Sequence, residues 1–282
     1  MRSWGINGVN FGINEDCWLG INGVNPAHGG KRYIEAIKRY VHTLERNDIY
    51  PVIALFWEAP GTRKATDQIA MPDADHATAV WKSIAETFKN DRRVVFRLKE
   101  EPFPAGNSDG AAAWACWLKG GSACHEGYAV VGMQSLIKTI RATGAKNVIQ
   151  VPGVEYANSM TRFLSHQPRD PRHSLMAVVD VYPDENPCGD VACYDYEYAP
   201  IIKHMPFMVG EFGESVGGNL CSVVRSNILM TWLDAHQSGY FAWVWDTWKN
   251  TCSALIQSYS GTPTVPNGLN LKRHLASVLG RH

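Results

Sequence analysis

The stretch Val94-Val95-Phe96-Arg97-Leu98-Lys99-Glu100-Glu101-Pro102 decides the fold. Its leading residues are β-branched or aromatic, as a pleated, half-buried surface prefers. It stops at a proline, which has no N–H to give to a ladder. A strand over 94–100 therefore delivers Glu101 to a loop at its carboxyl end. A distant run, Val209-Gly210-Glu211-Phe212-Gly213, does the same for Glu211, with a strand predicted over 207–211.

Working outward from these two runs, the chain alternates between the two periods. Residues 1–5 read as the last turn of a helix stopped by Gly5, and 6–11 as a strand that leads into a long loop over 14–18. Residues 31–47 carry Tyr33, Ile34, Ile37, Tyr40, Val41 and Leu44 at helical spacing. Tyr50 to Trp57 is almost unbroken apolar sequence, as expected of a parallel strand buried on both faces. A turn-rich loop over 58–72 and a helix over 75–89 come next. After the decisive strand, a loop is predicted over 103–127, a helix over 128–143, a strand over 148–151 and a helix near 159–165. A strand over 176–182, a helix near 196–203, a helix over 220–238, a strand over 240–245 and a helix over 269–279 complete the chain. Such alternation predicts right-handed βαβ units around a parallel sheet.

Seven strands are predicted, and the loops after them are rich in Asn, Asp, Glu, Trp or Gly. The expected fold is α/β, a (β/α)8 barrel forming a single domain over 1–282, with its first strand lying upstream of Met1. Open edges on the strands over 7–11 and 240–245 would then invite self-association. The alternative is a doubly wound open sheet. No glycine-rich phosphate loop follows any strand, which weighs against it.

Composition narrows the function. Twenty-seven basic residues balance twenty-seven acidic ones, so no net field recruits nucleic acid or an anionic membrane. No apolar run approaches the ~20 residues of a membrane helix. Ten tryptophans and eleven tyrosines suit stacking on sugars as well as core packing. Seven cysteines suggest an oxidising, extracytoplasmic setting, with pairs Cys116–Cys124, Cys188–Cys193 and Cys221–Cys252 and Cys17 left over. The chain opens Met1-Arg2-Ser3-Trp4 without a signal peptide. No paired Cys-x-x-Cys motif argues for a metal, and no cofactor is expected.

In a barrel the functional groups sit at the carboxyl ends of the strands. Those ends supply Asn10, Phe56 with Trp57, Glu100 with Glu101, Asp180 with Tyr182, Glu211, and Trp245. Two carboxylates facing one pocket is what glycosidic cleavage needs, one to protonate the leaving oxygen and one to attack the sugar carbon. With these residues in view the chain resembles glycoside hydrolase family 5. The resemblance rests on Asn14-Glu15-Asp16-Cys17-Trp18-Leu19-Gly20-Ile21-Asn22-Gly23, Trp57-Glu58-Ala59-Pro60-Gly61, Glu101-Pro102, Gly210-Glu211-Phe212-Gly213 and Ala242-Trp243-Val244-Trp245.

The resemblance implies a retaining glycosidase acting on a β-linked glucan or related polysaccharide. Glu101 would be the general acid/base and Glu211 the nucleophile, their carboxyls about 5–5.5 Å apart. Tyr182 would orient the nucleophile, Trp245 would stack under the sugar, and Glu100, Trp57, Asn10 and Asp180 would line the substrate. It also exposes departures. The family carries arginine where this chain has Asn10, histidine at Phe56, asparagine at Glu100 and histidine at Asp180. Close relatives carry aspartate at Ala54 and Arg97 and an aromatic residue at Lys99. Without a cation near Glu211 its pKa should rise, and Glu100 beside Glu101 adds like-charge repulsion. An ionised Glu100 accepts but cannot donate to a sugar hydroxyl. Arg97 and Lys99 would neutralise the added acids.

Three readings follow: an active glycosidase; a weakened or inactive glycan-binding barrel or re-engineered scaffold; and Lys99 acting as an amine nucleophile beside Phe56. A lysine flanked by glutamates stays protonated, which disfavours the last. A metal held by Glu100, Asp180, Glu211 and a histidine has no supporting ligand spacing.

Overall fold

The computed structural model describes residues 1–182, 188–214, 221–249 and 251–280. Seven strands follow one another in sequence order through one sheet. They are β1 (Gly8–Asn14), β2 (Tyr50–Trp57), β3 (Val95–Arg97), β4 (Ile149–Pro152), β5 (Leu175–Val181), β6 (Phe207–Phe212) and β7 (Gly239–Ala242). The pairs β2–β3, β3–β4, β4–β5 and β6–β7 are parallel. Helices connect most successive strands, so the chain has the (β/α)8 barrel topology with seven of its strands. The order runs from β1 at one end to β7 at the other.

The chain divides into two compact units, one of Val9–Val178 and one of Met1–Gly8 with Val179–His282. In the first, Ile53, Phe96, Ile149 and Val151 of the sheet are fully buried. The helices Lys31–Glu45, Ala77–Phe88, Ala111–Lys119 and Met133–Ala142 belong to this unit. Trp81, Ile84, Trp114, Trp117, Leu136 and Ile137 complete its core. Buried indole N–H groups find carbonyls, Trp81 donating to Leu98 O and Trp117 to Pro152 O, each at 3.0 Å. In the second unit, Val209, Tyr194, Tyr198, Leu229 and Leu233 are buried between β6 and the helices Val191–Glu197 and Val224–Ala235. The helix Asn267–Leu279 closes the chain.

Several elements differ from their sequence reading. The loop predicted over 14–18 contains a short helix, Glu15–Leu19, because the Asn14 side chain caps it by accepting from Cys17 N at 2.9 Å. The loop predicted over 103–127 contains the helix Ala111–Lys119, whose alanines favour helix. Near 159–165 the backbone forms a Val154–Ser159 bridge and a short 3-10 turn, Leu164–His166, instead of the predicted helix. The helix expected near 196–203 is two pieces, Val191–Glu197 and Ala199–Ile202, interrupted at Pro200. The start proposed at Leu220 for the next helix lies outside the described residues. β3 is shorter than 94–100, although Leu98 N and Glu100 N still donate, to Gln150 O at 3.2 Å and Leu55 O at 2.9 Å. A small hairpin, Ile256–Ser258 with Thr262–Pro263, had no sequence counterpart. All three expected disulfides are present, and Cys17 is a free thiol. Among the described residues no helix is long and apolar enough to cross a membrane.

Candidate active site

Two adjacent acids, Glu100 and Glu101, follow β3 within four residues of its end. Glu100 is buried and Glu101 partly so. Glu101 Oε2 accepts from Gln68 Nε2 at 3.0 Å. Burial raises the Glu101 pKa, and the Glu100 charge raises it further against the opposing pull of Gln68, Arg97 and Lys99. Glu101 is thus held toward its protonated form, as a proton donor requires.

One oxygen of the Glu100 carboxylate is engaged on two sides. Its Oε1 lies 2.8 Å from Arg97 Nη1 and accepts from Asn10 Nδ2 at 2.8 Å. Arg97 Nη2 also donates to the Glu100 carbonyl at 2.8 Å. Arg97 is fully buried, so it matches the expectation of a neutralising partner. Lys99 neutralises a different acid from the one its neighbours suggest. Its ammonium lies 2.5 Å from Glu58 Oε2, at the start of the loop after β2. Trp57, just before it, is 42% exposed and stacks on Phe56 with ring centroids 5.9 Å apart.

Behind this pair lies an acidic cluster that the sequence reading missed. Glu15 Oε1 accepts from Ala59 N, and Asp73 Oδ1 accepts from His76 N at 2.8 Å. Burial pushes the Glu15 carboxyl up to about 10, with Glu58 and Asp73 adding repulsion. Burial, partly opposed by Lys99, puts Glu58 at about 7. Glu15 therefore keeps its proton and shares it with Asp73. Glu15, Asp73 and His76 have donor atoms close enough to surround a cation. Their bonds to the Ala59 and His76 amides, and the shared proton, give them instead a role in holding the loop.

That loop has almost no regular structure and is stitched by side chains. Asp16 Oδ2 accepts from Ala65 N at 2.8 Å, and Asp16 Oδ1 accepts from Asn22 Nδ2 at 2.8 Å. Asn22 also donates to Arg63 O, and Asp75 Oδ2 accepts from Gly61 N at 2.9 Å. These bonds fix the stretch that presents Gln68 to Glu101.

In the second unit, Tyr182 donates its hydroxyl to Glu211 Oε2 at 2.7 Å, the contact expected of an orienting tyrosine. Glu211 and Asp180 are both buried. Gly213 makes room for this arrangement, since a Cβ there would stand 3.2 Å from Tyr182 Cε1. Trp245 packs edge-on against Trp4, with centroids 4.8 Å apart.

A family model described as Cellulase (glycosyl hydrolase family 5) matches residues 1–250. The chain belongs to glycoside hydrolase family 5. Among solved structures, an endo-β-1,4-glucanase from Xanthomonas axonopodis pv. citri matches with a TM-score of 0.71 at 19% identity, covering 98% of this chain and 88% of the other. A β-glucanase from Saccharophagus degradans in complex with cellotetraose matches with a TM-score of 0.74 at 18% identity, over 98% and 80%. The catalytic domain of a mannanase from Streptomyces sp. SirexAA-E gives 0.63 at 17% identity, over 90% and 72%. No curated protein matches the chain. At these identities the structural likeness speaks for the barrel fold, and the family model for the membership.

Of the site residues read from sequence, Asn10 and Glu100 are bonded to each other, as are Tyr182 and Glu211. Gln68, Glu58 and the cluster of Glu15, Asp73 and His76 were not anticipated. Gln68 sits in a turn-rich loop remote in sequence from Glu101, and no spacing rule marks it.

Proposed function

We propose that this family 5 chain is a retaining glycoside hydrolase that cleaves β-linked glucans by double displacement. Glu101 protonates the glycosidic oxygen as Glu211 attacks the anomeric carbon. Water then hydrolyses the glycosyl ester with Glu101 acting as base. The observation that carries this reading is the environment of Glu101, a carboxyl raised by burial yet held in place by Gln68. The Tyr182 hydroxyl, donating to Glu211, fixes the attacking oxygen. Trp57, Trp245, Asn10, Glu100 and Asp180 shape the substrate site. The glucan is suggested by family and by relatives bearing the name glucanase. Three disulfides suit an extracytoplasmic protein working as one barrel domain on an external polysaccharide. Self-association through β1 and β7 belongs to the same proposal.

A fluorinated glycoside that traps the covalent intermediate tests the mechanism. Mass spectrometry of the peptide containing Glu211 should show one added glycosyl group. Labelling elsewhere, or turnover unaffected by Glu101→Gln, would refute it.

A second reading is favoured by the Glu100 contacts. Asn10 and Arg97 both engage the Glu100 carboxylate, which as an acceptor cannot donate to a sugar hydroxyl. On this reading the barrel binds glycan with weakened turnover. Oligosaccharide binding without hydrolysis, unchanged by Glu101→Gln, distinguishes it.

A further inference from the structure

The helix Lys31–Glu45 begins with charges of the wrong sign for its own dipole. Lys31 and Arg32 stand in its first turn, which holds no acidic residue, and its N-cap is Gly30, which has no side chain to cap it. A helix start carries partial positive charge and favours acids, so two cations there are repelled by it and by each other. Arg39 continues the row two turns on, about 12 Å from Lys31 along the axis.

An open hollow of about 670 Å³ lies against this row. Lys31, Arg32 and Arg39 line it from the helix, and Cys17 and His28 from the segment before it. Among the described residues, none of the three helix cations makes an ion pair or a side-chain hydrogen bond. Glu35, the acid in the lining, is held by Lys38 Nζ at 2.9 Å, with Arg39 and Lys31 adding a weaker pull. Burial and the Asp16 charge raise the Cys17 thiol, so it stays neutral. One carboxylate does not balance the row, and the hollow is positive.

We infer that this hollow binds an acidic polysaccharide, a sugar chain carrying carboxylate or sulfate groups. Its volume exceeds what an inorganic anion fills and lies in the range of sites for sugar-sized ligands. Cations set in a row, instead of converging on one point, match charges repeated along a chain. Two of the three are arginines, whose planar fork pairs with an oxyanion through two hydrogen bonds. The chain's balanced total charge gives no long-range field for nucleic acid, so a polyanion of lower charge density fits better. The site tethers the chain to an acidic matrix, and this holds whether or not the chain hydrolyses glucan.

Calorimetric titration with polygalacturonate, dextran sulfate and neutral dextran tests the site. One or both acidic polymers should bind and neutral dextran should not; which polymer binds identifies the anionic group. The double variant Arg32→Gln with Arg39→Gln should weaken that binding about tenfold. Lys82→Gln with Lys138→Gln removes two exposed charges on other helices and should stay within about twofold. Glutamine suits exposed helix positions, so melting temperatures should match across all three proteins. Bound polymer should also slow the alkylation of Cys17 by iodoacetamide, because that free thiol lines the hollow. Failure of both acidic polymers to bind, equal losses in the two double variants, or full binding without Arg32 and Arg39 would overturn the site. So would Cys17 alkylation unchanged by bound polymer, or tighter binding of a single-stranded thymidine oligonucleotide than of either polymer.

Discussion

Lys99 Nζ stands 2.5 Å from Glu58 Oε2, and neither side chain reaches solvent. Two desolvated charges support one another, and removing one strands the other. Lys99→Met alone should therefore cost stability in denaturant unfolding measured above pH 7, where Glu58 is ionised. Adding Glu58→Leu should recover most of that loss, because the double variant buries no unpaired charge. Equal stability of the single and double variants would show that the pair is not coupled. The same burial speaks against Lys99 as an amine nucleophile: borohydride with a small aldehyde should leave it unmodified.

The carboxyls of Glu15 and Glu58 give stability a pH dependence of unusual sign. Their folded pKa values, about 10 and about 7, lie above the ordinary value of 4.5. Folding therefore favours the protonated forms. Their contribution is complete below about pH 4.5 and is lost as pH rises, through about 7 for Glu58 and about 10 for Glu15. Melting temperatures should fall steadily over that window. Glu15→Gln, neutral throughout, should flatten the part above pH 7. A melting temperature that climbs from pH 5 to pH 9 would contradict this assignment.

The alkaline limb of the rate profile should follow the surroundings of Glu101. Gln68 donates to the ionised carboxylate and so favours it. Gln68→Leu removes that donor, raises the pKa and moves the alkaline limb of kcat/KM to higher pH. Glu100→Gln removes a like charge and moves the limb down. Both shifts are read from hydrolysis of one oligosaccharide across the pH range. Movement in the opposite directions would remove Glu101 from the acid role.

How much of this was legible beforehand differs between backbone and pocket. The apolar run of β2 and the periodic helix Lys31–Glu45 reach their ends by local pattern, so both fall within two residues of their sequence reading. Residues 159–165 misled because Met160, Phe163 and Leu164 mimic a helical stripe. A turn built on Gly153 and left-handed backbone prevails there, and neither is encoded as a period. Glu101 and Glu211 stood out because strand ends mark them. Gln68, Glu58 and Glu15 did not, since their partners come from distant strands and loops and only the folded chain selects them. Lys99 illustrates the limit. Its sequence neighbour Glu100 looks like its partner, but Lys99 meets Glu58 while Glu100 meets Arg97.

Tyr182 offers a test of the proposed attacking group, Glu211. Its hydroxyl donates to Glu211 Oε2 at 2.7 Å. Tyr182→Phe should slow covalent labelling by a fluorinated glycoside about tenfold, about the worth of one hydrogen bond to a charged group, while oligosaccharide affinity stays unchanged. Unchanged labelling would mean that the tyrosine serves packing alone.

The side-chain stitching of residues 58–72 makes that segment resemble a replaceable cassette with sealed ends. Its anchors, Glu15, Asp16, Asn22 and Asp75, all lie outside it, and they grip mainly backbone atoms. Its own sequence is therefore freer to vary than its path. A library randomised at Thr62, Arg63 and Lys64 would explore new rims for the pocket while the acids keep the frame in register.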